Sequence, residues 1–327
     1  VRAVVCKEHG PPERLVLEDL PSPALGPGQV RLAVHACGVN FPDTLIIENK
    51  YQFKPPLPFT PGGEVAGAVT EVGSGVRGVS VGDRVIAMVG WGGFADELVV
   101  DAVRTARMPA SMDYVTAAGF SMTYGTSHHA LKQRAELRPG ETLLVLGAAG
   151  GVGLTAVELG RVMGARVIAA ASTDEKLALC RDYGADEGIN YTRESLKDRV
   201  KELTDGRGAD VIYDPVGGDE FDQAIRCINW KGRYLVIGFA SGRIPALPIN
   251  LVLLKGCQVV GVFWGAFTAR EPETNAANIS ELARWYADGK IKPHVCATYP
   301  LERAADALSA ISARKAKGKI ILTTGRC

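Results

Sequence analysis

From about residue 120 the apolar positions fall in short unbroken runs, each followed by a Gly-rich or polar turn and then by apolar residues at helical spacing. TLLVLG leads into TAVELGRVMG, ARVIAAA into DEKLALCRDYG, ADVIYDPVGG into FDQAIRCINW, and RYLVIG follows. An unbroken apolar run suits a strand buried on both faces. Its alternation with amphipathic helices predicts parallel strands joined by crossover helices. Residues 1 to about 115 have another rhythm. QVRLAVHACGV, GGEVAGAVTEVG and DRVIAMV are short β-rich pieces cut by SPALGPG and GSGVRGVSVGD, which predicts a compact, mostly antiparallel β domain. A helical segment, ERAADALSAISARKA, and an apolar strand, GKIILTT, come near the end, with no tandem repeat or low-complexity tract.

Composition narrows the class. The 327 residues exceed the roughly 250 to 300 at which a single core stops growing, so two domains are expected. Lys and Arg number 37 against 36 Asp and Glu, a net charge of +1. No global field draws such a chain to nucleic acid or anionic lipid, and a small molecule is the expected partner. The uncharged run Thr142 to Val157 is Gly-rich and shorter than the roughly 20 apolar residues of a membrane span. No basic start, apolar stretch and small-residue cleavage site open the chain, so a cytoplasmic protein without a membrane partner is expected. The 7 cysteines are odd in number and form no Cys-x-x-Cys pair. They read as free, mostly buried thiols, with Cys327 the most exposed.

The chemistry begins at VLGAAGGVG, residues 145 to 153. A strand (Leu143 to Leu146), a glycine turn and an immediate helix gather free backbone N–H groups and the positive end of a helix dipole at one point, where a pyrophosphate fits. Gly150, Gly151 and Val152 are the expected donors. Ala148 stands at the first glycine of the usual G-x-G-x-x-G, so context must support the motif: the next strand, ARVIAAAS, ends about 20 residues on, where a dinucleotide fold reads the adenosine ribose. A tight turn with only a packing role is the alternative. At the ribose position stands Ser172, with Lys176 one helical turn on and Tyr191 at the end of the next short strand. A hydroxyl, an ammonium and a phenol suit a 2′-phosphate, which favours NADPH over NADH. Two alternatives stay open: Asp174 as the acid that binds a free ribose hydroxyl, and Lys176 as a solvated helix residue.

With these residues in place the chain resembles the zinc-free quinone oxidoreductases of the medium-chain dehydrogenase/reductase superfamily, the group that includes ζ-crystallin. The likeness runs in order through ACGVNFPDTLI (36 to 46), LPFTPGGEVAG (57 to 67), VGDRV (81 to 85), GGFADELVV (92 to 100), MTYGTSHHAL (122 to 131), LGAAGGVG (146 to 153), DEKLALCRDYGAD (174 to 186), DPVGG (214 to 218) and GKIIL (318 to 322). It implies an α/β protein with a GroES-like β domain built from 1–120 and 265–327, a Rossmann domain of doubly wound parallel sheet over 121–264, and an active-site cleft where they meet. It also implies a homodimer joined through Rossmann edge strands, with CQVVGVFW (257 to 264) at that edge; a covered edge in a monomer is the alternative.

Zinc alcohol dehydrogenases of the superfamily carry Cys where this chain has Asn40, His where it has Gly63, and a further Cys near Gly119, so no metal is expected. His128 and His129 are neighbours on a helix and point about 100° apart, poorly placed to share an ion. Without a Lewis acid, simple alcohol oxidation lacks its mechanism, while quinones and activated enones accept hydride unaided.

The resemblance places Asn40 at the nicotinamide ribose or the substrate oxygen, Asp43 as an orienting group, and Tyr51 as a hydroxyl donor near the mouth of the cleft. It sets Thr123 near the nicotinamide, runs Gly238, Phe239, Ala240, Phe263 and Trp264 beside the nicotinamide half, and brings Arg314 within reach of the 2′-phosphate. Loop-tying roles for Asn40, Asp43 and Tyr51, core roles for the aromatics, and a solvated basic surface around Arg314 remain the alternatives. The apolar loop 41 to 59 is the expected substrate side. The implied activity is hydride transfer from NADPH to a quinone. Reduction of an enoyl or alkenal double bond, and NADPH binding without catalysis, are the competing functions.

Overall fold

The structure is a computed structural model that describes residues 1–326. Cys327, expected to be the most exposed thiol, lies outside the described residues. The chain forms two compact units, Val1–Met122 with Pro293–Cys327, and Thr123–Lys292.

The first unit is built on a seven-stranded sheet in the order Val295–Pro300, Lys319–Thr323, Gln29–Val39, Glu64–Val72, Arg84–Met88, Thr105–Arg107, with Glu97–Asp101 also paired to Gln29–Val39. All pairs are antiparallel except Val295–Pro300 with Lys319–Thr323. Gln29–Val39 is the spine. Its alternation puts Val30, Leu32 and Val34 into the core with Val65, Val69, Val85 and Ile320, as one buried face of a sheet requires. Register then sets the chemistry: Gly38 lies opposite Glu64 on one side and Ile321 on the other. The strand bearing Lys319 and the strand beginning at Glu64 thus flank the same turn of chain, from which helix Phe41–Ile47 departs at Asn40.

The second unit holds a six-stranded sheet, parallel throughout, in the order Glu187–Asn190, Arg166–Ala171, Thr142–Val145, Ala209–Asp214, Ile228–Val236, Gln258–Gly261. Counted within the unit this is 3-2-1-4-5-6, the doubly wound dinucleotide-binding order, whose direction switches beside Thr142–Val145. Leu144, Ile168, Ile189 and Ile212 form the centre of the core with Phe221 and Tyr234. Gln258–Gly261 has a single neighbour and lies at the sheet edge, the position that the family resemblance implied.

The boundary expected at 265 falls instead at Pro293, so residues 265–292 belong to the second unit. Helices Trp264–Arg270 and Pro272–Ala287 are held in that unit by ring and polar contacts: Phe267 stacks on His129 with centroids 3.8 Å apart, Gln133 donates to Asn278 at 2.9 Å, and His128 Nε2 meets Glu281 at 2.7 Å. PETNAANISELARWYA has little apolar patterning to announce that packing.

Candidate active site

In the second unit the wholly buried strand Thr142–Val145 runs into the glycine turn. The Ala148 N–H donates to Ala170 O at 3.0 Å and its methyl is buried, so the alanine in the motif is a packed part of the turn. Helix Gly151–Val162 starts at Gly150, which contributes no side-chain cap, leaving the first-turn N–H groups without a side chain of their own to bond. A Cβ on Gly153 would lie 2.3 Å from Gly147 O, so only glycine lets the helix start this close to the turn. Gly150, Gly151 and Val152 stand at this cradle, and its shape fits a pyrophosphate.

At the end of the adjacent strand, Lys176 Nζ donates to Ser172 Oγ at 3.2 Å, so the hydroxyl and the ammonium are together. Thr173 caps helix Asp174–Asp182, which fixes Lys176 one turn in. Asp174 is already engaged: Asn190 Nδ2 reaches one oxygen at 2.7 Å and Arg193 the other at 2.8 Å. The Asn190 hydrogen bond, followed by the Arg193 charge, holds the Asp174 carboxyl below its ordinary range. Both Asp174 oxygens thus have protein partners, which weakens its alternative role as a ribose-hydroxyl acceptor. Tyr191 follows, its backbone N–H on Ala171 O at 3.3 Å and its ring against the core.

Gly238, Phe239 and Ala240 leave strand Ile228–Val236 and fold onto the DPVGG turn, with the Gly238 N–H on Asp214 O at 3.3 Å and the Ala240 N–H on Pro215 O at 3.0 Å. Asp214 anchors the turn. Its buried carboxylate accepts from Val216 N at 2.8 Å, Gly217 N at 2.9 Å and the Tyr234 hydroxyl at 2.7 Å, and burial pushes its pKa up. Thr123 is buried, and its carbonyl accepts from Thr155 Oγ1 at 3.2 Å. Ser127 ties that hydroxyl to Tyr213 at 2.8 and 2.9 Å. Phe263 is 44% exposed, whereas Trp264 is buried with its indole N–H lacking a hydrogen-bond partner among the described residues.

In the first unit Asn40 ends the spine strand, and the Asp43 carboxylate reaches back to the Asn40 N–H at 2.8 Å, the reciprocal half of a capping box. The other Asp43 oxygen accepts from Gly62 N at 3.3 Å. Asp43 is 2% exposed; burial raises its pKa to about 7, against the pull of those two N–H groups and of Lys319. The Asn40 side chain is equally engaged: Lys319 Nζ donates to Oδ1, and Nδ2 points to Gly38 O and Glu64 Oε2, each at 3.3 Å. Glu64 and Lys319 pair at 2.9 Å with 0% and 5% exposure, and Met122 N donates to the remaining Glu64 oxygen at 2.8 Å. A Cβ on Gly38 would lie 2.1 Å from Ala118 O and 2.7 Å from Glu64 Oε2, so glycine opens the space in which this cluster closes.

Asn40 and Asp43 are therefore brought together, and the ion pair beside them is new. Both of its members lie inside quoted motifs, Glu64 in LPFTPGGEVAG and Lys319 in GKIIL, whose apolar pattern predicts only strand. A lysine opening the otherwise apolar run KIILT was the available signal. Tyr51 is half-buried and packs edge-on to Phe53 at 5.7 Å; burial, then the Asp43 charge, pushes its phenol up. Arg314 lies in the first unit just past helix Ala304–Ser312, with φ of 54°.

Among the described residues, no group of three or more His, Cys, Asp or Glu is placed to hold a metal ion, and no helix is long and apolar enough to cross a membrane.

Two family models match this arrangement: the alcohol dehydrogenase GroES-like domain over residues 26–110 and the zinc-binding dehydrogenase model over 151–282. Fold and site together define an oxidoreductase with a GroES-like β unit and a Rossmann unit. The chain is 45% identical to the quinone oxidoreductase-like protein 2 homolog of Nematostella vectensis, over 99% of its own length and 89% of that relative's. The Escherichia coli quinone oxidoreductase, solved in complex with NADPH, superposes with a TM-score of 0.92 at 30% identity, covering 99% of this chain and 100% of that one. A mycobacterial protein, also complexed with NADPH, gives a TM-score of 0.92 at 33% identity, with 99% and 100% covered. The chain belongs to the zinc-free quinone oxidoreductase-like family of the medium-chain dehydrogenase/reductase superfamily.

Proposed function

We propose that the protein is an NADPH-dependent quinone oxidoreductase. The observation that carries the cofactor choice is the Lys176–Ser172 contact beside the glycine cradle, with Asp174 hydrogen-bonded by Asn190 and paired with Arg193. The NADPH held by the two solved relatives supports it, and the names of the curated relatives support a quinone as substrate.

When bound, NADPH supplies a hydride with its electron pair. Gly150, Gly151 and Val152 hold the pyrophosphate through backbone N–H groups, and Ser172, Lys176 and Tyr191 hold the 2′-phosphate. Gly238, Phe239 and Ala240, on the loop braced by Asp214, line the nicotinamide half with Thr123, Phe263 and Trp264. Arg314 adds positive charge toward the 2′-phosphate. Asn40 faces the substrate oxygen, Asp43 holds the Asn40 backbone, and Tyr51 offers a hydroxyl on the substrate side.

The functional form is a homodimer through Gln258–Gly261. Support comes from its single sheet neighbour and from the adjoining helix Ile249–Lys255, which leaves Ile249 at 72% and Leu253 at 80% exposure.

The deciding experiment is steady-state cofactor oxidation with ortho- and para-quinones beside medium-chain enones, run with NADPH and with NADH. Quinone turnover with NADPH preferred upholds the proposal. Turnover of enones alone makes the protein a double-bond reductase, and tight NADPH binding without any turnover makes it a binding protein.

A further inference from the structure

We infer that Lys319 is a positioning residue: its ammonium, anchored by Glu64, orients and polarises the Asn40 amide so that Nδ2 donates to the substrate oxygen that gains charge. This rests on the reading of Asn40 as the substrate-facing group.

Three observations lead there. First, Lys319 is 5% exposed at the head of the strand KIILT, where its neighbours Ile320, Ile321 and Leu322 are all buried. A buried ion pair seldom adds net stability over well-packed apolar residues, so its presence calls for another role. Second, the space around it is kept open by glycines: a Cβ on Gly119 would lie 2.8 Å from Lys319 Cγ, and one on Gly38 would lie 3.0 Å from Lys319 Cε. Third, the contact falls on the one atom that sets the amide's direction. An ammonium can only donate, so the atom it meets on Asn40 is the oxygen, and the amide nitrogen is left as the donor, its hydrogens held by two long contacts.

The consequence is chemical. Withdrawal of electron density at Oδ1 strengthens the N–H bonds of the same amide as donors. The present acceptors of Nδ2, Gly38 O and Glu64 Oε2, are both at 3.3 Å, beyond the usual hydrogen-bond optimum of about 2.9 Å. A nearer oxygen that becomes anionic wins that donor. Asp43 holds the Asn40 backbone while this happens, so little reorganisation accompanies charge development. With NADPH bound, the hydride it supplies would bring the quinone two electrons and one hydrogen. The resulting hydroquinone monoanion is stabilised by Asn40 Nδ2–H until it takes one proton from water.

The test compares the parent, Asn40→Ala, Lys319→Arg, and the double variant Lys319→Met with Glu64→Gln, which removes both charges of the ion pair together. The double variant is expected to lose roughly 10- to 100-fold in kcat with quinone. Its Kd for NADPH, read by fluorescence, is expected to stay unchanged, with Lys319→Arg recovering part of the loss. The anion 4-nitrophenolate is expected to bind the parent with NADP⁺ at least about fivefold tighter than the double variant. A folded double variant with kcat within about twofold of the parent, or equal 4-nitrophenolate affinity, overturns the inference. If Asn40→Ala itself turns over like the parent, the reading of Asn40 fails first; if only the Lys319 variants are silent, that reading survives and this inference alone falls.

Discussion

Lys319 and Asn40 lie 279 residues apart, yet the ammonium of one donates to the side-chain oxygen of the other. Glu64 completes the group from a third strand, so its charge balance depends on all three being present. Lys319→Met alone leaves Glu64 buried without its counter-charge and is expected to cost about 3 to 5 kcal/mol of stability. Adding Glu64→Gln is expected to recover most of it, by denaturant titration of the two variants.

Asp43 gives a pH dependence of defined sign. Its pKa rises on folding from 3.8 to about 7, so between those values the folded state binds more protons than the unfolded one. Stability from this group is therefore full below the lower value and lost as pH climbs through the upper. Asp43→Asn is expected to flatten the stability profile over about pH 4 to 7, measured by urea unfolding at several pH values. An unchanged slope would exclude Asp43 as its source.

Cofactor discrimination is expected to rest on charge at the end of strand Arg166–Ala171. Lys176→Met should raise the Kd for NADPH by about tenfold or more and leave that for NADH within about twofold. Equal losses for both cofactors would show that Lys176 does not meet the 2′-phosphate.

Arg193 is expected to act on 2′-phosphate binding through Asp174, whose charge it offsets at 2.8 Å. Both side chains are largely exposed, so the effect is modest: Arg193→Met should weaken NADPH about three- to tenfold. Asp174→Asn added to it should restore the affinity, and calorimetry of the double-mutant cycle reads the coupling directly.

Gly153→Ala places a methyl 2.3 Å from Gly147 O, where turn and helix start have no slack. A loss of about 1 to 3 kcal/mol in stability is expected, with a drop in NADPH affinity larger than the drop in quinone affinity. Thermal unfolding and cofactor titration together check it.

What was legible in the sequence was local. Strand, glycine turn and helix are contiguous, so the cradle and the Ser172–Lys176 pair could be read from adjacent residues, and the alternation of runs foretold a parallel sheet. The Asn40–Asp43 spacing likewise lies within one helical turn. Glu64 and Lys319 became neighbours only through pairing across Gly38, which no periodicity encodes. The 265 boundary misled for a related reason: residues 265–292 are held by His128, His129 and Gln133, contacts made by rings and amides rather than by an apolar stripe.

The placement of Lys319–Thr323 next to Gln29–Val39 also orders events during synthesis. The second unit is one continuous stretch, Thr123–Lys292, and can complete its sheet while the chain is still being made. The first unit cannot. Until residues 319–323 leave the ribosome, one edge of its longest strand has no partner along Ala36–Val39 and Glu64 has no cation to meet. A nascent chain therefore waits, half assembled, through the translation of the entire Rossmann unit before the side chain that neutralises its buried carboxylate arrives.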